Sequence, residues 1–172
     1  MKYIFVVLLI IFYFTPSRAQ LYSCKEGNVS FFSEAPLENI DATNYYINSF
    51  LNFSTGEVIF LLPIRGFKFS RALMEEHFNE KYLESDKYPN ATFRGKINEK
   101  EDVLKTGIHN VTVTGKLTIH GVENELTVPG VIITADDTIK VRSLFAIAVK
   151  DYKIKIPKLV FQNIADTVTV KV

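Results

Sequence analysis

The sequence predicts an all-β chain with one short helix, folded as a single antiparallel barrel of about eight strands. An open sandwich is the alternative. Three observations carry this reading. Several segments alternate apolar and polar residues, most strictly Val111 to His120, and period two is the mark of a strand with one buried face. Short, turn-rich stretches separate these segments. Only Arg71 to Glu80 has helical spacing, so the strand–helix–strand rhythm of a parallel sheet is missing. With 172 residues, 47% of them hydrophobic, the chain can build one sizeable core.

The first segment stands outside that fold. Lys2 precedes an apolar run from Tyr3 to Phe14, which Thr15, Pro16 and Ser17 break. Ser17-Arg18-Ala19 then offers a small-x-small cleavage site before Gln20. Residues 1–19 therefore read as a secretory signal peptide, and residues 20–172 as the mature domain. The run is short for a permanent span, and an uncleaved membrane helix is the alternative. Cys24 has no second cysteine to pair with, and is expected to be a small buried or interfacial thiol. Leu21-Tyr22-Ser23-Cys24 loosely resembles a bacterial lipoprotein box. Membrane contact by the mature domain is expected only if Cys24 is acylated.

The elements follow in order. Asn28 to Ser33 is a short strand. Asp41 to Asn52 alternates loosely, with Tyr45, Ile47 and Leu51 able to share a face. Ser54-Thr55-Gly56 breaks it, and Glu57 to Ile64 returns as the second arm of a hairpin. That strand is apolar on both faces, with Val58, Phe60, Leu62 and Ile64 one way and Ile59, Leu61 and Pro63 the other. Its outer face is either covered or meets a partner, and a homodimer is one such arrangement. Pro63 suggests an edge or bulge.

Ser70 is the expected N-cap of a helix over Arg71 to Glu80. Ala72, Leu73, Met74 and Phe78 form its apolar side, and Glu75, Glu76 and Glu80 its polar side. Pro89 ends any helical continuation. Ala91 to Ile97 is a strand, and Glu99 to Asp102 a charged, solvated loop. Val111 to Ile119 is the next strand, and Gly121 turns the chain back through Leu126, Val128 and Ile132. Pro129-Gly130 predicts a bulge or bend in that return. Ile139 to Lys150 is one strand with Ile139, Val141, Phe145, Ile147 and Val149 on one face. A loop with Pro157 follows. Thr167 to Val172 closes the chain with Val168, Val170 and Val172 aligned.

The chemistry of an enzyme is hard to find. There is no nucleophile elbow, no phosphate-binding loop and no dinucleotide turn. His77, His109 and His120 are scattered rather than set at metal-ligand spacing, so structural or solvated roles are expected. No cofactor is expected. A net charge of +1 offers no electrostatic footprint for nucleic acid. What remains is a wealth of apolar residues on strands. An eight-stranded barrel either packs such residues together or encloses one small ligand, and the residues leave that choice open.

Two blocks carry a resemblance. The first is His77-Phe78, then Tyr82 to Ser85, Asp86-Lys87-Tyr88-Pro89 and Ala91-Thr92-Phe93. The second is Gly115-Lys116-Leu117-Thr118-Ile119-His120-Gly121-Val122, followed by a return strand from Glu125 to Pro129. In this order and spacing they resemble the YceI-like family. The resemblance implies a lipocalin-like antiparallel barrel, exported to the bacterial periplasm (alternatively extracellular or lipid-anchored), without enzymatic activity. It implies a polyisoprenoid or similar amphiphilic lipid along the barrel interior, for transport, storage or sequestration. The competing expectation is a non-catalytic interaction module with a filled barrel. The chain departs from the family pattern in a short N-terminal half and in lacking the W-x-(I/V)-D opening. Tyr88-Pro89 and His120-Gly121 are expected to set turn geometry. The residues expected to line the cavity are Val58, Phe60, Leu62, Phe93, Val113, Leu117, Ile119, Val141, Phe145 and Ile147. Leu73, Met74 and Phe78 are expected to cover one opening.

Overall fold

A computed structural model of the chain describes residues 21–24, 26–34, 39–99, 103–136, 138–156 and 165–172. Residues 1–19, read from the sequence as a signal peptide, and Pro157 lie outside these residues. The described residues form twelve strands: β1 (Leu21–Cys24), β2 (Val29–Ser33), β3 (Ile40–Asn44), β4 (Asn48–Asn52), β5 (Glu57–Pro63), β6 (Phe67–Phe69), β7 (Asn90–Ile97), β8 (Gly107–Ile119), β9 (Val122–Ala135), β10 (Thr138–Arg142), β11 (Leu144–Ala148) and β12 (Thr167–Lys171). One helix, α1 (Ala72–His77), runs on through a π-turn over Phe78–Tyr82.

The strands make two antiparallel sheets, ordered β1-β4-β5-β7-β8-β9-β10 and β11-β12-β2-β3-β6. Together they curl into a half-barrel. The strand count exceeds the expected eight because two expected strands each divide at a corner and change sheet, and because Leu21–Cys24 and Phe67–Phe69 pair as strands of their own. Asp41 to Asn52, expected as one strand, is two. β3 belongs to the smaller sheet and β4 to the larger, and Tyr45 between them is exposed. Asn44 makes this corner. Its fully buried side chain donates from Nδ2 to the Pro63 carbonyl (2.7 Å) and accepts the Tyr46 N–H at Oδ1 (2.8 Å). It thereby satisfies backbone groups that a bend would leave unpaired.

Ile139 to Lys150 also divides, at Ser143. There the N–H donates to the Val172 carbonyl (3.1 Å) and the carbonyl accepts the Val172 N–H (2.9 Å). The side-chain hydroxyl donates to the Pro129 carbonyl (2.6 Å). The inward phase survives the corner, so Val141 and Phe145 still face one interior.

Pro129 makes no bulge. β9 pairs with β8 without a break from Val122 to Thr134, with Pro129 opposite Thr112. Thr112 directs its backbone groups the other way. Its carbonyl accepts the Asn98 N–H (2.9 Å) and its N–H donates to the Glu99 carboxylate (2.8 Å). The missing proline N–H therefore costs no ladder bond. Glu99, expected in a solvated loop, is instead a partner of this strand.

The helix starts one residue later than expected. Arg71, with extended backbone (φ −124°, ψ 129°), occupies the N-cap position without a side-chain cap bond, and Ser70 lies in the bend before it. Cys24 is exposed on edge strand β1 rather than buried. Its sulfur lies 3.3 Å from both the N and the O of Glu26.

Candidate functional site

The inward faces of the two sheets meet at the helix end, through Val29, Ala42 and Phe67 against Leu62 and Ala91, and part elsewhere. Between them lies an apolar cavity of about 530 Å³. Its wall follows from the strand registers. Phe60 of β5 stands opposite Phe93 of β7, which stands opposite Leu117 of β8. Period two then places Val58, Leu62, Val113 and Ile119 on the same side. The smaller sheet supplies Phe145 and Ile147 of β11, and β10 supplies Val141. Leu73, Met74 and Phe78 close in from the helix. Every residue named from the sequence as a cavity position therefore stands on this one wall. Leu73 is 60% exposed, so it sits at the rim.

Two packed clusters flank the cavity. One gathers at the helix end, around Phe67, Ile64, Leu62 and Leu83. The other gathers around Leu51, Val58, Val111 and Ile132. Phe60 touches both. Val103 is buried in the second cluster, and its carbonyl accepts the buried Thr134 hydroxyl (2.7 Å). The helix end is strongly aromatic. Phe78 stacks on Phe31 with centroids 5.6 Å apart, and meets Phe67 at 5.5 Å and Phe69 at 4.9 Å. Phe31, Phe67 and Phe69 were not among the cavity residues expected from sequence. Their signal was present in the alternations Val29-Phe31-Ser33 and Phe67-Lys68-Phe69, but strands this short carry too few repeats to orient a face.

Polar groups on the wall are few, and none of the three histidines joins another. His77 lies on the cavity wall near the helix, with Nε2 3.0 Å from the Lys81 ammonium. That contact requires the ring nitrogen to accept. His109 Nε2 donates to the Lys105 carbonyl (2.8 Å). His120 bonds Glu84 (2.7 Å) and the Tyr152 carbonyl (3.2 Å) in a turn. Burial pushes the phenols of Tyr82 and Tyr152 up, so both stay neutral on the wall. Among the described residues, no three metal-capable side chains gather.

A family model of the YceI-like domain matches residues 25–172. The chain belongs to the YceI-like family. Solved structures agree on the fold. A polyisoprenoid-binding domain from Saccharophagus degradans, implicated in plant cell wall breakdown, superposes with a TM-score of 0.76 at 15% identity, over 90% of this chain and 95% of that one. BcnA of Burkholderia cenocepacia gives 0.70 at 18%, over 84% and 92%. A YCEI protein of Campylobacter jejuni gives 0.58 at 14%, over 92% and 85%. Comparison with curated proteins finds no match. At such identities the shared property is the fold. Within this YceI-like chain the first motif block supplies Phe78 and Phe93 to the cavity wall, and the second supplies Leu117 and Ile119.

Proposed function

We propose that this YceI-like protein is a non-catalytic carrier that holds the apolar chain of a polyisoprenoid or similar amphiphilic lipid between its two sheets. One observation carries the reading: an apolar cavity of about 530 Å³ left open in a domain with enough Phe, Leu and Val to fill it. A filled barrel, the competing expectation, would place packed side chains there. Each buried methylene of a guest contributes about 0.8 kcal/mol, so a long chain is retained by its length alone. The structural relative from Saccharophagus degradans, a polyisoprenoid-binding domain, supports the chemical class. Transport, storage or sequestration would all use the same cavity. Native mass spectrometry of protein purified from its own host tests the proposal. A bound lipid mass that organic extraction removes is expected. Protein that emerges without a guest, and takes up none from a lipid extract, would overturn it.

We also propose that residues 1–19 are removed on export, and that the mature domain works in the periplasm or beyond. The charged start, apolar run and small-residue site support this. Sequencing the N-terminus of fractionated protein is expected to begin at Gln20. A cytoplasmic product beginning at Met1 would contradict it.

Self-association has one specific support. Phe50 and Ile59 are cross-strand partners, and both are exposed on the outer face, 43% and 37%. Light scattering of the Ile59→Lys variant should show a smaller species than the parent. A monomeric parent at high concentration would remove the idea.

A further inference from the structure

We propose that Gly95 and Phe93 together set the bore of the cavity, and so decide which lipid chains it admits. This rests on the lipid-binding reading above. Phe93 and Gly95 lie two residues apart on β7 and point to the same face. One level along, Gly95 stands opposite Gly115, so two neighbouring wall positions carry no side chain. The two glycines serve different ends. A Cβ on Gly115 would lie 2.4 Å from the Arg94 carbonyl oxygen and from the Gly95 Cα, so Gly115 allows β7 and β8 to approach. A Cβ on Gly95 would lie 2.8 Å from Cε1 and Cζ of Phe93. The Phe93 ring therefore lies down over Gly95, flat against the wall.

That posture matters because of Phe60. The two rings lie side by side on one wall, as cross-strand partners with centroids 6.5 Å apart and planes tilted by 38°, and Phe60 packs against both flanking clusters. They mark the step on that wall from an aromatic half near the helix to an aliphatic half beyond. With its ring folded on Gly95, Phe93 leaves the lumen beside it open to a flexible chain, linear or methyl-branched. A rigid fused-ring lipid cannot bend past the paired rings, so on this proposal it is excluded. A methyl group at position 95 would lift the ring off the wall and into the lumen.

Four proteins test this: the parent, Gly95→Ala, Phe93→Ala and the double variant, each delipidated and checked for folding by circular dichroism. The probes are geranylgeraniol, a flexible isoprenoid alcohol, and cholesterol, a rigid fused-ring one. The parent should bind geranylgeraniol and reject cholesterol. Gly95→Ala should bind geranylgeraniol about tenfold or more weakly, the scale for losing roughly a methylene of pocket room. The double variant should recover, since no ring remains to be displaced. Phe93→Ala alone should admit cholesterol. The bore proposal is overturned if folded Gly95→Ala binds as the parent does. It is overturned equally if the double variant stays as weak as Gly95→Ala, which would blame the Thr114 carbonyl 2.9 Å from the new Cβ. Should Gly95→Ala not fold, continued rejection of cholesterol by Phe93→Ala overturns it. A parent that binds neither probe fails the lipid reading itself.

Discussion

The imidazole of His120 packs edge-on against the phenol of Tyr88, with ring centroids 4.7 Å apart and planes at 68°. This contact joins the two sequence blocks that mark the family. His120 (φ +52°) and Gly121 (φ +72°) form the two-residue turn between β8 and β9, a pair of positive angles that suits the twist of a hairpin. Around them the His120 Nε2 meets the Glu84 carboxylate (2.7 Å) and Nδ1 meets the Tyr152 carbonyl (3.2 Å). Both partners are acceptors, a carboxylate and a backbone carbonyl. The motif is thus a tie between three segments: the hairpin turn, the loop after the helix and the turn over Val149–Tyr152.

Gly121→Ala should destabilise the protein by about 1–3 kcal/mol, through a left-handed backbone and overpacking together. The new Cβ would lie 2.5 Å from Cε1 of Tyr88. Urea unfolding of Gly121→Ala in a Tyr88→Ala background separates the two causes. Part of the loss should disappear once the ring is gone. An unchanged loss would mean the backbone alone is responsible.

Glu84 should contribute an acid-sensitive share of stability. Its carboxyl is held below the ordinary carboxylate value of 4.5 chiefly by the hydrogen bond from His120, with Lys87 and Lys155 assisting. A depressed folded pKa means the contribution is present above the unfolded value and is lost as pH falls through the folded one. Melting temperatures of the parent and Glu84→Gln should therefore differ by a constant amount above about pH 5.5 and converge in stronger acid. A difference that persists undiminished at low pH would refute the assignment.

Asn44→Ala should cost about 2–4 kcal/mol, because it strands the Pro63 carbonyl and the Tyr46 N–H at a buried corner. Asn44→Asp should also be costly, as it replaces the donor to Pro63 with an acceptor. Denaturant midpoints check both. A near-neutral Asn44→Ala would show that the sheet-to-sheet bend has other supports.

Val113→Trp should remove lipid binding while sparing the fold. The indole would enter the cavity rather than a packed core, so the stability change should stay under about 2 kcal/mol. Native mass spectrometry reads the guest and thermal unfolding reads the fold. Retained lipid in a folded Val113→Trp protein would move the guest away from this wall.

Much of this was legible in the sequence, for a specific reason. Period-two alternation fixes which side chains share a face whatever the sheet does next. Val113, Leu117 and Ile119 could therefore be placed together, and so could Phe145 and Ile147. Turn chemistry was legible too, since Gly121 and Pro89 punctuate the chain locally. The corners were not. In Ile139 to Lys150 alternation runs unbroken through the bend at Ser143. In Asp41 to Asn52 the buried phase slips at the exposed pair Tyr45-Tyr46, from Ala42 and Asn44 to Ile47, Ser49 and Leu51. Two tyrosines in a row suit a core as well as a surface, however, so only the pairing reveals the corner. Pro129 misled for the same reason. Whether a proline breaks a strand depends on which neighbour its nitrogen faces, and that is set by pairing.

The sequence by itself determined the all-β class, the family and the inward-facing set, because these depend on local periodicity and on short motifs. Tertiary structure alone decided that the two sheets stand apart over a cavity instead of packing closed. It decided that Phe93 lies flat on Gly95, and that His120, Tyr88 and Glu84 meet. Each of these depends on distances between strands and loops far apart in the chain, set by registers and corners that no local pattern encodes.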